Sequence, residues 1–133
     1  MALDLAKIER ADTARVELVH PVTKAPTGCF LTLAGPGSES HEEAAERLRK
    51  RRLALIRRYK KEEDIPNDVN YGSFVEFLAD VTENIEGLAK DGKPVDFSRK
   101  VAVELFGDRK RFGPEFAAQA AAELGDVENF SKA

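Results

Sequence analysis

The sequence predicts a mainly α fold, an N-terminal β-hairpin followed by about four helices in a single small domain. Three observations lead there. Two β-branched and aromatic runs flank a turn rich in Pro, Gly and Thr near the N-terminus. From residue 40 onward, apolar residues recur at helical spacing between recognisable caps. The 133 residues, 42% hydrophobic and 34% charged, suffice for one apolar core. The expected division is an arm over 1–14, a β-hairpin over 15–34 and a helical region over 40–130, all one domain spanning 1–133.

In chain order, Leu3, Leu5 and Ile8 suit a short frayed helix or a flexible arm. Val16, Leu18 and His20 then alternate with Glu17 and Val19, and Cys29-Phe30-Leu31-Thr32-Leu33 forms a second β-leaning run. Pro21 and Pro26 cannot donate ladder hydrogen bonds, which assigns them to strand ends and the turn. An isolated hairpin is marginal in water, so it should lie on helices or pair with another sheet edge.

Ser40-x-x-Glu43 has the form of a capping box and opens a helix over 41–61, with Ala45, Leu48, Leu55, Ile56 and Tyr59 as its apolar stripe and Pro66 as the stop. Phe74, Phe77, Leu78, Val81 and Ile85 mark one face of a second helix over 71–89, weakened at its end by Gly87. Lys90-Asp91-Gly92-Lys93-Pro94 reads as a turn. Ser98 caps a short helix carrying Val101, Ala102, Leu105 and Phe106, which stops at Gly107. Pro114 begins a last helix over 114–124 with Ala117, Ala120, Ala121 and Leu124 inward. The expected core is Leu48, Leu55, Phe74, Phe77, Leu78, Val81, Val101, Leu105, Phe116 and Leu124.

Chemistry is sparse. His20 and His41 are far apart, and the chain holds no HExxH, CxxC, GxSxG or Gly-rich phosphate loop. Cys29, in an apolar strand, reads as a small core residue and as the mark of a reducing cytosol. The N-terminus lacks the apolar stretch of a signal peptide, and no run of eighteen apolar residues occurs. No catalytic, cofactor-binding or metal-ligating set is expected; the residues point to binding.

Charge is where the sequence is most informative. Residues 47–61 carry nine basic side chains in fifteen, inside a protein of net charge −3, leaving about −12 on the rest. Three readings are open. A nucleic-acid helix would set Arg against phosphates, but base-stacking aromatics nearby are limited to Tyr59. A membrane-surface helix would need a bulkier apolar face. A solvated helix would meet acidic groups elsewhere in the protein or on a partner. The candidate partner-binding residues are Arg47, Arg49, Arg51, Arg52, Arg57, Arg58, Tyr59 and Phe130, the last an aromatic four residues from the C-terminus that either docks on the core or faces a partner. Arg109-Lys110-Arg111 forms a second basic knot.

Several segments resemble the small tail assembly chaperones of long-tailed bacteriophages and prophages. They are Glu17-Leu18-Val19-His20-Pro21-Val22-Thr23, Phe30-Leu31-Thr32-Leu33-Ala34-Gly35-Pro36, Phe77-Leu78-Ala79-Asp80-Val81-Thr82 and Gly92-Lys93-Pro94-Val95-Asp96-Phe97-Ser98, then a last helix containing Gln119 and a terminal Asn129-Phe130. Two positions depart from the family pattern: Lys24 stands where Gly is usual after the turn Thr, and Ile85 where a Trp often ends the middle helix. The resemblance implies a non-enzymatic, mostly helical protein of the bacterial host cytoplasm. It would bind the tape measure protein, help recruit tail tube protein around it and use no cofactor. The alternatives are a small DNA-binding or regulatory protein using the basic helix 47–61, or a structural tail subunit whose hairpin pairs edge to edge with its neighbours.

Overall fold

Alternation sets the hairpin. In the computed structural model, which describes residues 2–7 and 9–131, β1 (Thr13–Val19) and β2 (Pro26–Ala34) pair antiparallel, with Val16 opposite Leu31. Val16, Leu18, Leu31 and Leu33 point to one buried face. Arg15 and Phe30 lie on the other, where the Arg15 guanidinium sits 3.7 Å over the Phe30 ring. The turn is held by His20, whose Nδ1 accepts the N–H groups of Val22 and Thr23, both at 3.2 Å. In the arm, Leu5–Lys7 forms a 3-10 turn with Leu3 and Leu5 exposed; Ile8 lies outside the described residues.

The helix expected over 71–89 is shorter and starts earlier: α2 is Asn67–Val81, entered directly from Pro66. Thr82–Glu86 is instead a third strand, β3, antiparallel to β2 in the order β1-β2-β3, with Ile85 opposite Leu31. Two causes overrule the helical spacing of Ile85. Thr82 turns its hydroxyl back to donate to Leu78 O at 2.7 Å, closing the helix, and the second edge of β2 needs hydrogen-bond partners. Gly87 lets the chain leave β3 close to β2: its φ is +84°, and a Cβ there would lie 2.0 Å from Gly28 O. With this strand the protein is mixed α/β, a hairpin-based sheet followed and flanked by four helices, rather than mainly α.

α1 (Glu39–Tyr59) begins two residues before the expected capping box. Ser38 is the N-cap, accepting His41 N–H at 3.3 Å, and Glu42 accepts Gly37 N–H at 3.1 Å. The 90–94 turn is a tiny hairpin, β4 (Ala89–Lys90) and β5 (Lys93–Pro94), around Asp91 and Gly92, both at positive φ as a two-residue turn of this kind requires. Ser98 caps α3 (Arg99–Gly107) as expected, accepting Val101 N–H at 3.2 Å. α4 (Gly113–Gly125) carries Pro114 in its first turn.

One cluster of buried side chains joins the sheet face to α2, α3 and α4: Leu18, Leu31, Leu33, Leu78, Val81 and Phe106 are its largest fully buried members. The expected core is corrected accordingly. Leu78, Val81 and Leu124 are buried; Phe74, Phe77, Leu105 and Phe116 are half-buried against the cluster; Leu48, Leu55 and Val101 are half-buried outside it. The hairpin, not α1, supplies the missing apolar mass.

Candidate functional site

Of the 21 residues of α1, only Ala44 is buried, and the helix packs chiefly on α2. Its arginines do the docking. Asp80, in the last turn of α2, accepts from Arg47 Nε and Arg51 Nη2 at 3.3 Å each, and from Arg99 Nε of α3 at 2.8 Å. Arg51 Nε also reaches Glu76 at 3.1 Å. The Asp80 side chain is 7% exposed. Burial by itself would raise its pKa; the hydrogen bonds from Arg99, Arg47 and Arg51 outweigh that and hold the carboxyl below its usual range. Arg49 pairs with Glu46 along the helix, and Arg52 with Glu62 in the 3-10 turn Glu62–Asp64 that follows. At the N-terminal end His41 packs edge-on against Phe77, ring centroids 5.5 Å apart, and burial lowers its pKa against the opposing pull of Glu42.

The sequence-predicted site residues therefore separate. Arg47, Arg49, Arg51 and Arg52 are engaged by carboxylates of the protein itself. Arg58 stands 5.6 Å from the ring of half-buried Tyr59, and Arg57, Lys60 and Lys61 have no ion-pair partner among the described residues. Phe130 is far from all of them in role. At 2% exposure it docks on Gly35, where a Cβ would come within 2.3 Å of its ring, so it offers no surface to a partner.

Sequence reasoning missed an apolar groove. It has a volume of about 620 Å³. Its apolar wall is Leu88, Val95, Val101, Leu105, Phe112 and Phe116, from the flanks of the β4–β5 hairpin, α3 and the chain entering α4, and Lys90, Glu104, Asp108 and Arg111 also line it. Phe112 is 41% exposed and meets His20 and Phe116 edge to face, at 5.4 and 6.5 Å between ring centroids. The spacing of Val101, Leu105 and Phe116 on their helices was legible; Leu88 and Val95 flank a turn with no periodicity to reveal them. Such a groove can accept the apolar side chains of a partner segment.

No family model, no curated protein and no solved structure matches the chain.

Reactive groups are quiet. Burial, aided by Glu17, pushes the Cys29 thiol up to about 11, so it stays protonated at neutral pH. Among the described residues, no three His, Cys, Asp or Glu side chains come together as a metal site, and no helix is long and apolar enough to cross a membrane.

Proposed function

We propose that the protein is a tail assembly chaperone of a long-tailed bacteriophage or prophage. In this reading it acts without catalysis in the bacterial host cytoplasm, binding the tape measure protein and assisting assembly of the tail tube around it. The observation that carries the reading is that segments scattered along the sequence, and quoted above for their resemblance, touch one another. Gln119 donates to Val19 O and accepts Val19 N–H, both at 2.9 Å. Phe130 covers Gly35, and Thr82 pairs with Leu33. Lys24 adds support: its φ of +62° is a conformation that favours glycine, the residue usual there in that family. The apolar groove beside Phe112 is the surface this reading assigns to a helical stretch of tape measure protein.

The test is co-expression with the products of the neighbouring reading frames, followed by affinity capture. Recovery of a very long helical protein, lost on Phe112→Asp, is the expected result. Capture of neither the long protein nor a tube subunit would end the proposal.

A further inference from the structure

The two edges of the sheet are finished differently. The outer edge of β1 is capped at its two ends: Gln119 occupies both backbone groups of Val19, and just before the strand Ala11 N–H donates to Phe130 O at 2.6 Å and Arg10 bridges to Ser131. On β3, Thr82 N–H donates to Leu78 O and Ala79 O at the end of α2, and over 83–86, among the described residues, no backbone hydrogen bond is made on the edge facing away from β2. The outward N–H and C=O groups of 83–86 are therefore open, as in a strand awaiting a neighbour.

A slot of about 450 Å³ lies beside that edge, lined by Asn84, Ile85 and Glu86 of the strand and by Val95, Asp96 and Phe97 of the segment before α3. No Lys or Arg lines it. Glu86 is engaged by Arg15 at 2.8 Å, whereas Glu83 and Asp96 are exposed and have no ion-pair partner among the described residues. The slot combines unpaired backbone, two apolar walls in Val95 and Phe97, and the unpaired carboxylate of Asp96; Glu83 lies outside its lining, on the same strand.

We propose that the outer edge of β3 takes an extended, basic segment of a partner protein as a fourth strand. The segment's backbone bonds to the open groups of β3. Its alternate Lys or Arg side chains meet Asp96 in the slot and Glu83 beyond it on the strand, and its apolar ones fall toward Val95 and Phe97. A second copy of β3 fits poorly, because pairing would bring Glu83 and Glu86 of both copies onto one short ribbon, and like charges across strands destabilise it. This inference is independent of the chaperone reading, although the slot shares Leu88 and Val95 with the Phe112 groove.

The experiment is an amide NMR titration of the full chain with three blocked hexapeptides. One alternates lysine and valine, one alternates glutamate and valine, and one is the lysine peptide with proline at a central position. The lysine peptide is expected to shift the amides of 82–86 and 95–97 and to slow hydrogen exchange along β3, while the other two do neither. Glu83→Lys with Asp96→Lys, both on exposed side chains, should weaken the lysine peptide by about tenfold and admit the glutamate peptide. The proposal is overturned if the lysine peptide leaves 82–86 unmoved, or if the proline peptide acts equally well. It is also overturned if the same amides slow with protein concentration alone, which would mean that a second copy covers the edge.

Discussion

α1 and α3 are held to the protein in opposite ways. α3 is nine residues long and buries Ala102 and Phe106 completely among the sheet and its neighbouring helices. α1 is 21 residues long, buries Ala44 alone, and is tied to α2 by arginines converging on Asp80 and Glu76. Apolar burial does not titrate, is not screened by salt and is lost only when the whole core opens. Docking by part-exposed ion pairs is weaker per contact and responds to both. One helix is structure and the other is an adjustable flank, and the flank carries the charge that dominates the sequence.

The largest expected effect is in the core. Phe106→Ala should lower global stability by about 3–5 kcal/mol, measured by urea denaturation. If only a local transition moved, the sheet and α2–α4 would not be one cooperative unit. Next comes the point where the C-terminal end locks onto the sheet. Gly35→Ala sets a Cβ 2.3 Å from the Phe130 ring and should cost about 1–3 kcal/mol, with amide protection lost first around the 3-10 turn Val127–Phe130 and the start of β1. A variant as stable as the parent would show that the end repacks freely.

Asp80→Asn probes the other side of the comparison. It removes the charge that three arginines share, and should cost about 1–2 kcal/mol, discounted because those arginines are part-exposed. Hydrogen exchange should quicken in α1 while β2 keeps its protection; equal loss in both would contradict the division drawn here. Acid should act in the same direction and in two stages. His41 has a lowered folded pKa, so its contribution is full above about pH 6.5 and is lost as pH falls through the folded value. Asp80 is also depressed, so its contribution is full above about pH 3.9 and disappears as pH falls below that through its folded value. Exchange in α1 across a pH series should show both stages, and His41→Gln should abolish only the earlier one.

The smallest effect belongs to the free end of the basic helix. Arg57→Glu with Arg58→Glu should lower stability by no more than about 1 kcal/mol, since neither residue holds a carboxylate and only their favourable position in the last turn of α1 is lost. The same variant sharpens the functional question. A salt-steep gel shift on duplex DNA by the parent, abolished by this change, would turn the unpaired end into a nucleic-acid site.

Much of this protein is legible in its sequence wherever a local rule suffices. Alternation and turn residues locate β1 and β2; Ser98 and Pro114 mark where α3 and α4 start; the apolar face of Phe74, Phe77, Leu78 and Val81 marks α2. Two things depended on tertiary structure. Ile85 has helical spacing but lies in a strand, because the open edge of β2 offers backbone hydrogen bonds that no local pattern records. The arginines of 47–61 look like a polyanion-binding surface, but four of them meet carboxylates, and the two on Asp80 meet a residue some thirty positions away with no signal of its own. Periodicity and capping act within a few residues and can be read along the chain. Strand pairing and charge neutralisation depend on which distant groups the fold brings together, and that is settled only when the core closes.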